Sequence, residues 1–283
     1  MENKALDFNF VALLILVLFF IFVMFWIVRY FFNYALKRSS TSSNRRVEEK
    51  EGVTENQRKA IYENKQKIYS EQEKWLRNTP MKRQVIKSQD GLLLTGEYAM
   101  LPAAHRWAIL VHGYKGNRHD MESYGMEYYR RGYNILMPDN RACGESQGKY
   151  LGMGWLDRKD ILLWIQWILE KDADSEIVLH GVSMGAATVM MVAGEELPEQ
   201  VKAFVEDCGY TSVYDVLASE MRVRFKLPAF PLVSLASLYS IIAAGYSFKE
   251  ASALKQVMKN NRPKLFIHGS AFLACPCPAP STI

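Results

Sequence analysis

Cysteine and histidine are both scarce in this sequence, and their scarcity limits the sites that it can build. The chain of 283 residues has four cysteines and five histidines. Cys143, Cys208, Cys275 and Cys277 follow neither the C-x-x-C spacing of metal sites nor the dense pattern of a secreted disulfide framework. We therefore expect no metal and no cofactor. The cysteine pattern neither requires nor excludes an oxidising compartment.

A basic patch is also absent from the sequence. The formal net charge is +5, and hydrophobic residues make up 49% of the chain. Five basic residues in one stretch without acidic residues account for the whole excess of positive charge: Arg29, Lys37, Arg38, Arg45 and Arg46. A protein that binds nucleic acid needs cations clustered on one face, so we expect no nucleic acid among the partners. The length allows one sizeable domain with an appendage.

One long hydrophobic run is present near the N-terminus. Phe8 to Val28 is an uncharged stretch of 21 residues, and at about 1.5 Å per residue it reaches roughly 30 Å, the thickness of a bilayer core. A cleaved signal peptide is the competing interpretation, but the run is long for one and no small-x-small cleavage site follows it. We therefore predict a transmembrane anchor over residues 1–35. Cations are in excess after the run but not before it, so the positive-inside rule places the following domain in the cytoplasm.

Residues 36–80 are predicted to form a polar linker and an amphipathic helix. A capping box at residues 54–57 opens the helix. Ile61, Ile68 and Trp75 then recur every seven residues and give one apolar stripe on an otherwise polar surface. We favour packing of this stripe on the chain's own domain over pairing with a partner chain.

From residue 81 onward the chain reads as an α/β domain. Two strands joined through an Asp-Gly turn predict a hairpin. Strands then alternate with helices: strands are predicted at residues 107–111, 133–137, 176–180, 201–206 and 264–268, with helices near 121–131 and 155–171. Short connections between alternating elements predict a mostly parallel sheet with helices on both faces, in a domain of residues 81–270.

The strand at residues 176–180 runs directly into a G-x-S-x-G turn centred on Ser183, and then into a helix predicted over residues 184–196. A serine hydroxyl is a weak nucleophile, so it must be presented at a sharp turn where a base reaches it and backbone N–H groups receive the developing negative charge. Gly181 and Gly185 suit this turn because it brings strand and helix too close for a Cβ. We predict that Ser183 is a catalytic nucleophile.

Two further loops follow strands of the predicted sheet. Residues 112–117 read H-G-Y-K-G-N, and residues 139–146 read D-N-R-A-C-G-E-S. Together with the serine turn, these blocks resemble the α/β-hydrolase superfamily over residues 83–270, in particular bacterial membrane-anchored members related to the serine aminopeptidase and lysophospholipase-like group. The second loop is similar to that family's D-x-R-G-x-G-x-S loop. The resemblance implies an α/β-hydrolase sheet and an oxyanion hole formed by the N–H groups of Tyr114 and Met184.

The alternation of strands and helices lapses between residues 211 and 257. An apolar run from Leu232 to Ala244 lies inside this insertion. Hydrolases of this family carry a cap at this place, so the resemblance implies a lid that forms an acyl or hydrophobic substrate pocket. A plain packing helix is the alternative, and the residues alone favour neither.

The pattern of a serine hydrolase breaks after the strand that ends at His268. In this superfamily the chain order is serine, acid, histidine, and the acid follows this strand in a pattern resembling H-G-x-x-D-x-x-V-P. Phe272 occupies the place of the aspartate, and neither an acid nor a histidine occurs from Ser270 to Ile283. We expect that residues 271–283 are a tail outside the family pattern. We also expect that the authentic C-terminus, with the last strand and helix of the sheet, has been lost.

No acid or base of a catalytic triad is therefore identifiable. We interpret His112, His180 and His268 as structural, and Asp207 as an acid with no histidine to orient. The prediction is a single-pass membrane-anchored serine hydrolase that cleaves an ester, thioester or peptide acyl bond in a small or lipid-like substrate, and that is impaired in this chain. The alternative is a catalytically silent membrane-anchored binding or scaffold protein on the hydrolase fold.

Overall fold

The computed structural model describes residues 2–38 and 54–269. The predicted tail of residues 271–283 and most of the predicted linker lie outside the described residues. The helices are α1 (Glu2–Leu36), α2 (Glu55–Asn78), α3 (Glu122–Arg130), α4 (Asp157–Lys171), α5 (Met184–Ala193), α6 (Val213–Phe225), α7 (Leu232–Ala244) and α8 (Ala253–Val257). The strands are β1 (Lys82–Lys87), β2 (Leu93–Ala99), β3 (Arg106–Val111), β4 (Asn134–Pro138), β5 (Glu176–Val182), β6 (Val201–Asp207) and β7 (Lys264–Ile267).

The seven described strands form one sheet in the order β1-β2-β4-β3-β5-β6-β7. The predicted hairpin is confirmed, because β1 pairs antiparallel with β2, and β2 pairs antiparallel with β4. All remaining pairs are parallel. The predicted mostly parallel sheet is therefore confirmed, with every parallel strand ending at the same edge. The loops that follow β3, β4, β5 and β6 meet at that edge.

Helices cover both faces of the sheet, as the alternating pattern predicted. In β3, Trp107 and Ile109 contribute to the core that lies with α4 and α5, whereas Ala108 and Leu110 contribute to the core that lies with α2 and α3. Successive side chains of a strand point to opposite faces. A strand covered on both sides is therefore apolar at every position, which explains the unbroken hydrophobic run in the sequence.

Helix α1 does not stop at the domain surface. Val28, Phe32 and Leu36 recur every four residues and are buried in the same core as α4 and α5. The last turns of the apolar helix therefore pack against the predicted domain. Side chains from Phe10 to Phe22 are largely exposed. By length and composition, Phe10–Leu36 is one helix that is able to cross a membrane, with a mean hydropathy of 3.3 over its most apolar window.

The apolar stripe of α2 packs on the domain only at its C-terminal end. Trp75 is buried, and its ring meets Tyr129 of α3 edge-on at 6.0 Å. Ile61 and Ile68 remain exposed. The predicted capping box is confirmed: the Thr54 side chain accepts from the Gln57 N–H, and the Gln57 side chain accepts from the Thr54 N–H. Packing on the chain's own domain is thus confirmed for one turn of the stripe.

The insertion between β6 and β7 is helical. Helices α6 and α7 lie in succession, and α7 packs along α1. Helix α5 ends earlier than predicted, at Ala193 instead of residue 196. Gly194 caps it by donating its backbone N–H to Met191 and Val192. Glu195 and Glu196 are good helix formers, which is why the sequence suggested a longer helix.

The closest approach in the domain is between the start of α5 and the sheet. A Cβ atom on Gly185 would lie 1.9 Å from the Val111 carbonyl oxygen of β3, and one on Gly181 would lie 2.1 Å from the Gly185 carbonyl oxygen. These distances are far below van der Waals contact, and both neighbours are backbone atoms that have no free rotation. Glycine at both positions is therefore required by the packing of α5 on β3 and β5.

The edge of the sheet at β6 and β7 contains a buried glutamate, Glu206. Glu206 is buried, and neither of its carboxylate oxygens has a hydrogen-bond partner among the described residues. Burial raises its pKa from 4.5 to about 8, although Lys264 opposes the shift. Beyond it, the β7 side chains Leu265, Phe266 and Ile267 are exposed in the described structure. Glu206 is thus neutral in the folded chain over much of the physiological pH range.

We expect Gly185→Ala to prevent α5 from packing on β3. The added methyl group meets a backbone carbonyl, so the helix must move, and overpacking of this severity costs roughly 3 kcal/mol or more. Thermal unfolding followed by circular dichroism should show a large loss of stability or no cooperative transition. Gly269→Ala is the matched control, because nothing lies within 4 Å of its Cβ position. A Gly185→Ala melting temperature equal to that of the control would contradict the packing argument.

We expect Glu206 to make the chain less stable as the pH rises from about 5 to about 8. Its pKa is about 8 when folded, against 4.5 ordinarily, so between these values the folded state holds a proton that the unfolded state has released. Each pKa unit corresponds to roughly 1.4 kcal/mol, so the loss amounts to a few kcal/mol at most. Glu206→Gln should flatten the melting temperature between these pH values. The exposed Glu170→Gln should not, and identical pH profiles for wild type and Glu206→Gln would refute the assignment.

Candidate active site

Ser183 lies at the tightest turn of the sheet edge, between β5 and α5. Its backbone has φ 58° and ψ −115°, outside the regions that non-glycine residues favour. Such strain costs about 1–3 kcal/mol and persists only where the surroundings impose it. The surroundings here are the glycine contacts of α5 and a hydrogen bond from the Ser183 N–H to the Asp207 carbonyl oxygen at 2.7 Å. The structure thus places the half-buried Ser183 hydroxyl at the end of the parallel strands.

The loop after β3 lies beside Ser183. A Cβ on Gly113 would be 3.4 Å from the Ser183 Cβ and 3.9 Å from its Oγ. Tyr114 follows in the same loop, and Met184 begins α5 and is fully buried. The first N–H groups of a helix have no partner inside the helix and carry the positive end of its dipole. The two predicted oxyanion residues are therefore on the two segments that flank the serine.

His112 is held by hydrogen bonds that fix its tautomer. Its Nδ1 faces the Gly113 carbonyl oxygen at 2.8 Å and must donate, so its Nε2 accepts the Asn140 backbone N–H at 3.0 Å. The ring is fully buried, and burial lowers its pKa. His112 therefore joins the loops after β3 and β4, and both of its nitrogens are occupied. This geometry agrees with a structural role.

The other histidines belong to different parts of the domain. His105 contacts Asp172 and His119 contacts Glu122, each through Nδ1, at 2.8 Å and 2.6 Å. His180 lies between the rings of Tyr124 and Tyr128, where burial lowers its pKa, and neither of its nitrogens has a partner among the described residues.

His268 directly follows β7, which lies two strands away from β5 and Ser183, a strand spacing of roughly 10 Å. In the described part of the chain, no hydrogen bond joins a histidine to the Ser183 hydroxyl.

Asp207 is the carboxylate nearest to Ser183 in the strand register, since it pairs with Val182. Its Oδ2 accepts the Tyr124 hydroxyl at 3.1 Å, and the Cys208 thiol also hydrogen-bonds to its side chain. Burial, together with this carboxylate, raises the pKa of Tyr124 to about 12. Asp207 is thus oriented by a tyrosine and a thiol, and it orients no histidine in the described structure.

The loop at residues 139–146 is a buried ionic network. The Asp139 carboxylate accepts the Arg118 N–H at 2.7 Å, the Arg118 guanidinium at 2.6 Å and the Glu145 N–H at 2.8 Å. Arg141 binds both oxygens of Asp160 at 2.7 Å. These residues carry part of the family resemblance, and here their side chains hold the loops after β3 and β4 against each other and against α4.

Sequence reasoning missed that α1 touches the predicted oxyanion loop. The Tyr114 hydroxyl donates to the Ala35 carbonyl oxygen, and Lys115 Nζ donates to the Tyr34 carbonyl oxygen at 2.9 Å. Burial lowers the pKa of Lys115. The last turn of α1 thereby supplies acceptors to two successive residues of the loop. The only signal in the sequence was the four-residue spacing of Val28, Phe32 and Leu36.

The described residues contain no group of three or more histidine, cysteine or acidic side chains placed to hold a metal ion. The two described cysteines differ in exposure. Cys143 is buried, which raises the pKa of its thiol, and Cys208 is half-buried with a raised thiol pKa. Ser183 and the two segments that flank it remain the candidate groups for chemistry at this edge of the sheet.

Comparison with known proteins agrees with this geometry. A family model described as alpha/beta hydrolase fold matches residues 108–230, which run from β3 into the helical insertion. The chain is 28% identical over 185 residues to the uncharacterized protein YqkD of Bacillus subtilis (strain 168), a match that covers 65% of this chain. The matched region of this chain spans 61% of the length of YqkD.

Solved structures share the same architecture. The esterase Pf2001 of Pyrococcus furiosus is 24% identical, with a TM-score of 0.53 over 67% of this chain and 70% of the esterase. The alpha/beta hydrolase GrgF of Penicillium sp. sh18 is 14% identical, with a TM-score of 0.52 over 70% of this chain and 82% of GrgF. Together with the matched family model, these likenesses show that this chain has the α/β-hydrolase fold, and they support its place in the α/β-hydrolase superfamily.

Proposed function

We propose that this chain is a membrane-anchored serine hydrolase in which Ser183 attacks the acyl carbon of an ester, thioester or peptide bond. The observation that carries the proposal is the strained backbone of Ser183 at the end of β5. Close packing at Gly181 and Gly185 holds this turn and leaves no room for a side chain at either glycine position. Strain of this kind has a cost, and it is typical of sites that present a reacting group.

The neighbouring donors suit the charge that such a reaction develops. Attack by the Ser183 Oγ moves negative charge onto the carbonyl oxygen of the substrate. The Met184 N–H at the start of α5 and the Tyr114 N–H in the adjacent loop are the proposed donors to that oxygen. Donors fixed before the reaction cost no reorganisation, and removal of one such donor in other hydrolases slows the reaction roughly 10² to 10³-fold.

The structural relatives support a hydrolase rather than a particular substrate. Pf2001 is an esterase, and the acylaminoacyl peptidase of Pyrococcus horikoshii, 19% identical with a TM-score of 0.50, covers 70% of this chain. Esters and peptides are both acyl compounds, and one nucleophile and one oxyanion hole serve both. The substrate is proposed to be a small or lipid-like acyl compound that the insertion of α6 and α7 helps to select.

Activity is proposed to be impaired because the described residues bring no base to Ser183. Serine attack requires removal of the hydroxyl proton, which a histidine performs in this superfamily. Both nitrogens of His112 are occupied, and His268 lies about two strand spacings away, roughly 10 Å. The sequence after Gly269 contains no histidine and no acid.

The same missing base favours a second candidate function. A hydrolase fold without an activated nucleophile is able to bind an acyl compound without cleaving it. The chain would then be a catalytically silent membrane-anchored binding or scaffold protein that uses α6, α7 and the striped helix α2. Chemical reactivity of Ser183 separates the two functions.

The proposed location is a single-pass membrane protein with its catalytic domain in the cytoplasm. Helix α1 is long and apolar enough to cross a bilayer. Its last turns pack in the domain core, which supports a retained anchor over a removed signal peptide. Each of the buried side chains Val28, Phe32 and Leu36 contributes about 1.5–3 kcal/mol if it leaves water.

We expect the purified 283-residue chain to react with a fluorophosphonate probe at Ser183 no faster than a Ser183→Ala control. Attack on phosphorus requires the same proton removal as acylation, and loss of the base from a triad costs on the order of 10⁴ to 10⁶ in rate. A variant with an aspartate in place of Phe272 and a histidine-containing segment typical of the family added beyond it should label at Ser183 and hydrolyse a short-chain aryl ester.

The outcomes of this experiment separate the two functions. Labelling of the restored variant, but not of its Ser183→Ala form, supports a hydrolase site that lacks only its base. Failure of both chains to label favours the silent binding protein. Fast Ser183-dependent labelling of the unmodified chain refutes impairment, and His268→Ala is then the first variant to measure.

We expect the domain to lie on the cytoplasmic side of the membrane. Native Cys143 is a poor reporter because it is buried and its thiol pKa is raised. A better reporter is Met258→Cys, at a side chain that is 75% exposed, in a background with Cys275 and Cys277 changed to serine. In intact spheroplasts a membrane-impermeant maleimide should label Asn3→Cys but not Met258→Cys, and lysis should expose Met258→Cys. The reverse pattern would place the domain outside.

A further inference from the structure

Helix α7 presents an apolar stripe to its surroundings. Leu235, Leu238, Ile241 and Ile242 are all exposed, and Ile242 is 84% exposed. Their spacing of three and four residues places them on one face, whereas the opposite face is buried against the domain. The helix contains no charged residue in its 13 positions. A helix of this length rises only about 20 Å, which is too short to span a bilayer and is typical of an interfacial segment.

This helix lies directly against α1. The ring of Tyr239 meets Phe25 at 6.0 Å and Phe32 at 4.9 Å, in both cases edge-on, and its hydroxyl accepts a hydrogen bond from Arg29 at 3.5 Å. Tyr239 therefore touches α1 on both sides of the first charged residue after the apolar run. The exposed stripe of α7 continues the exposed surface of α1.

The depth of this contact follows from the length of α1. The uncharged run between Asp7 and Arg29 is 21 residues long and rises about 31 Å, close to the thickness of a hydrocarbon core. From Phe8 to Phe22, ahead of the turns that pack against α7, the run rises only about 22 Å. A bilayer crossed by α1 must therefore also include the turns around Phe25, where α7 packs.

Charges around the stripe agree with a lipid surface. Arg222, Arg224 and Lys226 are exposed at the end of α6 and at the start of the loop to α7, and Glu220 pairs with Arg224. Arg224 also donates to the Tyr34 hydroxyl of α1 at 3.4 Å. Cations next to an apolar helix face bind the phosphate groups of lipids, and more strongly where the headgroups are anionic.

We propose that α7 lies in the lipid boundary beside α1, with Leu238 and Ile242 among the acyl chains and the cations of α6 among the headgroups. This inference rests on the proposed membrane anchoring and deepens it, because it gives the helical insertion a lipid partner. The predicted oxyanion loop, which also touches α1, then lies close to the membrane surface. Acyl substrates that reside in the bilayer would reach the domain at the side where the insertion sits.

Photo-crosslinking of the full chain tests this placement. The photoreactive residue p-benzoylphenylalanine replaces one exposed apolar residue at a time in nanodiscs of phosphatidylcholine and phosphatidylglycerol with radiolabelled acyl chains. Leu18 in α1 reports the anchor, Ile242 reports α7, and Met258, a 75% exposed apolar side chain at the end of α8, is the matched control. Because a lipid-embedded side chain contacts acyl chains continuously, labelling at position 242 should reach about half of that at position 18 and exceed that at 258 by about five-fold.

Each other outcome overturns the proposal and identifies the part that failed. Labelling at 18 with position 242 no higher than 258 leaves the anchor intact and places α7 in water. Absence of labelling at 18 refutes the anchor itself, and the placement of α7 fails with it. A crosslink from position 242 to a second copy of the chain instead of lipid would make the stripe a dimer contact. Equal melting temperatures of the three variants confirm that each is folded.

Discussion

The close approach of α5 to β3 is the constraint on which the site depends. Gly185 lies against the Val111 carbonyl group, and this contact fixes where α5 begins. The start of the helix in turn fixes the direction of its first N–H groups and the turn that holds Ser183 outside the favoured backbone regions. The loop after β3 lies on the other side of the same contact, because Gly113 approaches the Ser183 side chain. One backbone contact thus positions the serine and both segments that carry the proposed donors.

Helix α1 adds a second constraint, from outside the sheet. Its C-terminal turns bury Val28, Phe32 and Leu36 in the domain core, and its last carbonyl groups accept hydrogen bonds from Tyr114 and Lys115. A change in the position of α1 would therefore be felt by the loop beside Ser183. In a bilayer the tilt of a helix is set by its packing against neighbouring helices and by its interfacial residues, and α1 packs against α7. The proposed membrane anchor and the proposed oxyanion loop are consequently in direct contact.

The sequence predicted the sheet, the turn at Ser183 and the need for Gly181 and Gly185, because these follow from local rules of strand period and steric space. The predicted end of α5 was wrong by three residues, since Glu195 and Glu196 are good helix formers although the helix is capped at Gly194. The docking of α1 was beyond prediction for a different reason. An apolar side chain such as Phe32 is equally stable among lipid chains and in a protein core, so composition does not distinguish the two surroundings. The partners of Asp207 and His112 likewise depend on contacts between loops that are distant in the chain.

The fixed states of the histidines and acids bear on whether the serine is reactive. His112 is neutral with both nitrogens occupied, and His180 is kept neutral by burial between two tyrosines. A general base must be within hydrogen-bond reach of the proton that it removes, and it must be free to become charged. His112 lies in the loop beside Ser183 yet fails on both counts, because its only acceptor nitrogen is already used and burial opposes its charge. The proposed oxyanion donors would stabilise the charge of a transition state, whereas removal of the serine proton needs a group that the described structure does not bring to Ser183.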